Sequence, residues 1–203
     1  MAPEVAVHIV DDEPDIRRSL SRLFQSVGLS TEVYDSGPAF LRVSSSIRTG
    51  CVLIDLRMPG MVGLELLLRL RARRFALPII MMTGHGDIPT AVSAMKSGAT
   101  DFVEKASDGD VFLDVVRRAL RARDEAERSR ESRDAALQIA VLSPRERQVL
   151  YGIAEGKSSK VIAFELGLSV RTIEVYRARM MERLGLRHMA EAVRLAVLAR
   201  FGA

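Results

Sequence analysis

The chain has 203 residues, 48% of them hydrophobic and 28% charged, with a formal net charge of +4. That length suits one large or two small domains, and the composition is ordinary for a soluble protein. No run of about 18 uncharged apolar residues exists, so no membrane association is expected, and Met1-Ala2-Pro3-Glu4 lacks the basic stretch of a secretory signal.

Four short apolar runs organise the first 120 residues. Val5–Val10 ends in Asp11 and Asp12, Cys51–Ile54 ends in Asp55, Ile79–Met82 ends in Thr83, and Phe102-Val103 is followed by Lys105. Runs of this length, divided by helical stretches, are how buried parallel strands read. Between them, residues 14–27 carry a helical stripe at Ile16, Leu20, Leu23 and Phe24, with Gly28 as the stop. Thr31–Tyr34 reads as a further short strand, and Ser36 as the cap of a helix holding Ala39, Phe40 and Leu41. Helices are also predicted over Gly63–Arg74, over Pro89–Ser97 and from Asp110 onward. The alternation predicts an α/β domain, a parallel sheet with helices on both faces. Cys51, the one cysteine, falls inside a strand and is expected to be a buried inert thiol, as suits a cytoplasmic protein.

Residues 123–140 are good helix formers without a strong apolar face and read as a solvated helical linker, with a flexible one as the alternative. Ala122, Ala126, Ser129 and Ala136 make at most a weak seam. The rest reads as all helical. Ser143-Pro144-Arg145-Glu146 is a capping box, Ser158 opens a short helix, and Gly167-Leu168 makes a tight turn. Ser169 then caps a helix running to Leu184 before Gly185, and a last one spans about Met189–Arg200. Two short helices joined by a glycine turn, the second carrying Arg171, Arg177 and Arg179, read as a helix-turn-helix. Residues 141–203 carry 11 basic and 6 acidic side chains, whereas residues 1–122 carry 15 of each. The basic excess therefore sits in the last third and suggests nucleic acid. Ala192, Val193, Ala196 and Val197 share one side of the last helix, as a dimer seam or as ordinary core.

In a parallel sheet, ligands sit outside the carboxyl ends of the strands, so Asp11, Asp12, Asp55, Thr83 and Lys105 are expected to converge there. Three carboxylates in one crevice repel each other and need a cation or shifted protonation. Oxygen ligands without His or Cys favour Mg²⁺, and the arrangement points to phosphoryl transfer. His8, in a buried strand, and His85, in a loop, are not expected to be catalytic.

These motifs resemble a known family. Val10-Asp11-Asp12-Glu13, Ile54 to Gly60, Met82 to Asp87 and Phe102-Val103-Glu104-Lys105 are similar to a two-component receiver domain. Leu142 to Arg147, Ala154 to Leu168 and Arg171 to Arg177 are similar to the LuxR-type helix-turn-helix. Together they resemble response regulators of the FixJ/NarL family, leaning to the FixJ branch. The resemblance implies a flavodoxin-like receiver with a doubly wound five-stranded sheet over residues 1–122, a linker over 123–140 and a DNA-binding domain over 141–203. It implies Asp55 as the phosphoryl acceptor from a sensor histidine kinase. Mg²⁺ (or Mn²⁺) would be held by Asp11, Asp12, Asp55 and the Arg57 backbone carbonyl. Lys105 and Thr83 would serve the phosphoryl group, and Phe102 would be the aromatic switch. For promoter DNA it implies Glu174, Val175 and Ala178 toward base edges, Arg177 toward a guanine or a neighbouring phosphate, Lys160, Thr172, Tyr176 and Arg179 toward the backbone, and Arg171 as a further DNA contact. It also implies a homodimer on phosphorylation, through a face formed by residues 89–104.

The sequence departs from the family in one place that matters. The family places proline after the lysine in a cis bond, whereas here Ala106 follows Lys105 and a trans bond is expected. A regulator that binds DNA regardless of phosphorylation is therefore an alternative. A Mg²⁺-dependent phosphatase with an aspartyl-phosphate intermediate is another, disfavoured because Asp11 and Asp12 are adjacent rather than spaced by one residue.

Overall fold

The computed structural model describes residues 7–84 and 88–201. Val5, Ala6, the terminal Met1–Glu4 and His85 lie outside them. The chain divides into two compact units, residues 1–123 and 124–203.

In the first unit five strands, β1 (Val7–Val10), β2 (Thr31–Tyr34), β3 (Cys51–Asp55), β4 (Ile79–Thr83) and β5 (Asp101–Glu104), form one sheet in the order β2-β1-β3-β4-β5. All four pairings are parallel. The helices are α1 (Pro14–Ser26), α2 (Gly37–Val43), α3 (Gly63–Ala72), α4 (Ile88–Lys96) and α5 (Gly109–Ile139). The unalternating apolar runs have a direct cause in two cores, one per face. Val10, Val52, Ile54 and Met81 pack with Phe40 of α2 and Leu66, Leu67 and Leu70 of α3. Ile9, Leu53, Ile80 and Met82 pack with Leu20 and Phe24 of α1 and Phe112 and Val116 of α5. Successive strand residues point to opposite faces, and both faces are dry, so both sets must be apolar.

Glycine is required at one position that matters to the site. A Cβ on Gly63 would stand 2.1 Å from the Asp55 carbonyl oxygen, so the start of α3 lies directly on the end of β3. At its other end α3 stops at Ala72, two residues short of the predicted end, and Arg74 takes the left-handed conformation (φ 57°). The turn is closed by Phe75 N–H donating to Leu70 O, a helix ending that usually recruits glycine. Arg71 sits beside it, half-buried. Its guanidinium donates to Gly98 O (3.0 and 2.8 Å), Phe75 O (2.6 Å) and Leu77 O (3.1 Å), tying the loop after α3 to the turn after α4.

Helix α5 runs unbroken through the segment read as a linker. Phe112, Leu113, Val115, Val116 and Ala119 belong to the first unit's core, Ile139 belongs to a core of the second, and residues 124–131 are all exposed. Within this helix of the single chain, Ala122, Ala126, Ser129 and Ala136 are exposed, while Ser132, Ala135 and Ile139 are the buried positions.

The second unit adds α6 (Pro144–Ala154), α7 (Ser159–Leu166), α8 (Val170–Leu184) and α9 (Met189–Phe201). Each of the first three starts on a serine whose hydroxyl accepts from a backbone N–H, and Ser143 with Glu146 forms a complete capping box. Gly167 and Gly185 end α7 and α8 in the left-handed conformation. The four-residue stripe on α9 splits: Ala192 and Ala196 are fully buried in the core with Leu150 and Met180, whereas Val197 is exposed. The two alanines are therefore core residues, because their small side chains let α9 approach α6 and α8.

Candidate functional site: an acidic crevice and a basic helix face

Parallel pairing brings the carboxyl ends of β1, β3, β4 and β5 to one edge of the first unit. Asp11 and Asp55 are 0% and 2% exposed there, and Asp12 is half-buried. One carboxylate oxygen from each of Asp11, Asp12 and Asp55 lies within 4.8 Å of the others. Lys105 reaches them from the loop after β5, with Nζ 2.9 Å from Asp11 Oδ2 and 3.1 Å from Asp55 Oδ2. Its backbone N–H donates to Thr83 O (2.8 Å), fixing the lysine loop to the end of β4. Among the described residues no peptide bond is cis, so the bond from Lys105 to Ala106 is trans, as expected. Thr83 is buried, and its hydroxyl donates to Gly84 O (2.8 Å). Phe102 is 43% exposed on β5, outside both cores.

Burial raises the Asp11 and Asp55 carboxyls above the ordinary carboxylate range, and Lys105 only partly offsets it. A single ammonium shared among several carboxylates cannot neutralise them all. Burial also works against the Lys105 ammonium, yet its contacts with Asp11, Glu13 and Asp55 hold its pKa above the usual lysine value. Asp11 Oδ2 is buried and accepts no aligned hydrogen bond despite the nearby ammonium. A buried carboxylate oxygen served only by a misaligned, shared ammonium, beside two more carboxylates, is a donor set that fits a hard divalent cation.

Two residues here carry no signal in the sequence reading. Glu13 continues the acidic run by one residue, and its Oε1 accepts from Lys105 Nζ at 2.9 Å. Arg17 reaches back from α1 to donate to the carbonyls of Asp11 (2.6 Å) and Asp12 (2.9 Å), which fixes the loop that carries both aspartates. The backbone of Arg57 hydrogen-bonds the Asp55 carboxyl and helps hold it charged.

In the second unit, α8 buries Ile173 and Met180 and turns Arg171, Glu174, Val175, Ala178 and Arg179 to solvent, as does α7 with Lys160. Thr172 and Tyr176 are half-buried. Thr172 shares the capping serine (Oγ1 to Ser169 Oγ 2.8 Å), and Tyr176 packs on the core of Val149, Ile162 and Ile173. Arg177 is joined to its neighbours: Ser159 Oγ donates to Glu174 Oε1 (2.8 Å), and Arg177 Nη1 donates to both (3.2 Å each). The exposed polar face is thus partly ordered by its own network.

Comparison with known proteins agrees with both halves. Residues 7–117 match the response regulator receiver domain, and residues 140–196 match the bacterial regulatory proteins of the luxR family. The transcriptional regulatory protein FixJ of Bradyrhizobium diazoefficiens is 44% identical, covering 95% of each chain. FixJ of Rhizobium meliloti is 40% identical over 98% of each. Among solved structures, full-length FixJ from B. japonicum matches with a TM-score of 0.59 at 43% identity, covering 97% of each chain. The response regulator StyR matches with a TM-score of 0.64 at 37% identity, over 95% of this chain and 98% of that one. The phosphatase alternative therefore falls. The chain belongs to the two-component response regulators, as a receiver domain followed by a LuxR-type DNA-binding domain, a family of phosphorylation-controlled transcriptional regulators rather than enzymes.

Proposed function

We propose that Asp55 is the phosphoryl acceptor, with residues 1–122 as the receiver, 123–140 as the linker and 141–203 as the DNA-binding domain. One observation carries this reading: Asp11, Asp12, Asp55 and Lys105 converge from separate strand ends, and Asp55 is the member on the central strand, backed by Gly63. An Asp55 oxygen attacks the phosphorus of a phospho-histidine on a sensor kinase; the P–N bond breaks and the imidazole keeps the electron pair. Asp11, Asp12, Asp55 and the Arg57 carbonyl are the ligands for Mg²⁺ or Mn²⁺, which when bound offsets charge on the transferring group. Lys105 moves to the new phosphoryl oxygens and Thr83 turns its hydroxyl from Gly84 O toward them.

Output follows from that movement. Val92 and Met95 on α4 and Phe102 on β5 are exposed apolar side chains on the 89–104 segment, which supports it as the face that pairs two phosphorylated copies. Rotation of Phe102 inward would change that face. Paired domains then present two α8 helices to promoter DNA, with Glu174, Val175 and Ala178 at base edges and Arg177 at a guanine or a neighbouring phosphate. Lys160, Thr172, Tyr176 and Arg179 hold the backbone, with Arg171 as a further DNA contact. A cytoplasmic location suits both partners.

The test compares wild type with Asp55→Asn under acetyl phosphate and Mg²⁺. Wild type is expected to incorporate phosphate, dimerise and bind promoter DNA more tightly, and Asp55→Asn to do none of these. Unchanged DNA binding by demonstrably phosphorylated wild type would transfer the case to the phosphorylation-independent regulator.

A further inference from the structure

An ammonium has three hydrogens to donate, and that of Lys105 stands among three carboxylates that are not equivalent. Its distances to Glu13 Oε1, Asp11 Oδ2 and Asp55 Oδ2 are 2.9, 2.9 and 3.1 Å. The contact with Glu13 is an aligned hydrogen bond, whereas Asp11 Oδ2 accepts none and the approach to Asp55 is an ion pair without that alignment. Glu13 is itself held in place. It caps the start of α1 in an extended conformation, and its backbone N–H donates to Asp11 Oδ1 at 2.8 Å. The Glu13 side chain is 58% exposed and that of Lys105 only 16%, so Glu13 lies on the solvent side of the ammonium and Asp55 on the buried side. The ammonium is thus shared between one exposed carboxylate, which accepts an aligned hydrogen bond, and two buried ones.

We propose that Glu13 is a positioning residue that holds Lys105 at the mouth of the resting site and must release it when a phosphoryl group arrives on Asp55. The inference rests on Asp55 being the acceptor. A phosphoryl group presents three anionic oxygens to the ammonium, and the donor committed to Glu13 has to be exchanged for one of them. Glu13 also places a negative charge on the side from which an anionic donor enters, which opposes its approach. Because that carboxylate is exposed, its hold is screened by water and is weak enough to be exchanged. Glu13 thus sets a threshold for occupancy of the site without touching the reacting atoms.

The experiment titrates beryllofluoride, at saturating Mg²⁺, into full-length wild type, Asp55→Asn, Glu13→Gln and Glu13→Asp. Binding is read by the bound ¹⁹F resonance, and Lys105 by its side-chain ¹H–¹⁵N signal. Aspartate keeps the charge but is one methylene too short to reach Nζ, so it separates the aligned bond from the bare charge. Glu13→Gln and Glu13→Asp are both expected to bind beryllofluoride about two- to fivefold more tightly than wild type, the size expected for loss of an exposed charged contact. The Lys105 signal should already be shifted in both before beryllofluoride is added. Equal or weaker binding by Glu13→Gln overturns the proposal, as does Glu13→Asp behaving like wild type, which would assign the effect to charge alone. Binding by wild type but not by Asp55→Asn supports the acceptor reading independently. Its absence in wild type would sink that reading and this inference together.

Discussion

At the carboxyl edge of the sheet, Asp11 and Asp55 are withdrawn from water and held around one lysine, whereas on α8 Arg171 and Arg179 stand in solvent. The first arrangement costs desolvation in the resting protein and leaves a site whose geometry is already set when a cation or a phosphoryl group enters. The second costs little in the free protein, and its charges act mainly when a polyanion replaces their counterions. Ser159, Glu174 and Arg177 lie between these extremes, as an exposed carboxylate joined by hydrogen bonds to a half-buried arginine and serine. Burial therefore separates a chemical switch, which needs fixed distances, from a reading head, which needs access.

Salt should separate the two regions most strongly. Raising salt from ~50 to ~200 mM is expected to weaken promoter binding by on the order of 10³-fold if about six phosphates are contacted, while beryllofluoride uptake changes little. Arg179→Ala should reduce the salt slope by about one unit without altering sequence preference. Equal salt sensitivity in the two assays would break the comparison. A smaller but still large effect is expected at Gly63, where Gly63→Ala forces a Cβ against Asp55 O. A loss of about 1–3 kcal/mol or more in urea unfolding, with impaired beryllofluoride binding, would show that the switch depends on this contact, and DNA binding by the isolated 124–203 segment would serve as the control. The smallest effect concerns His8, buried against Tyr34 (Nδ1 to the hydroxyl 3.1 Å). Burial lowers its pKa below 6.5, with Glu32 opposing. As pH falls below 6.5 the unfolded chain takes up the proton first, so stability present above that value is lost toward the lowered folded value. Urea midpoints at ~pH 7.5 and ~pH 5.5 should diverge in wild type and converge in His8→Gln.

Legibility in the sequence tracks how local the cause is. Val52 to Ile54 and Ile79 to Met82 could be read as strands because both faces are buried, and Ser143, Ser158 and Ser169 could be read as caps because the partner lies three residues away. Asp11, Asp55 and Lys105 followed from their positions at strand ends, since a parallel sheet collects those ends at one edge. The roles of Glu13, Arg17 and Arg71 did not follow. Each depends on where a long, flexible side chain finds its partner, which no periodicity encodes. The α9 stripe was ambiguous for a related reason: alanine and valine at helical spacing look the same whether they face a core or solvent.

Arg71 also constrains how this domain can vary in length. One side chain supplies the donors for carbonyls at Phe75, Leu77 and Gly98, so two loops separated by β4 and α4 share a single anchor. An inserted residue in either loop would move its carbonyls off that anchor and leave the other loop's carbonyls short of a donor. These two loops must therefore keep their lengths together, even though neither contains a residue of the acidic crevice.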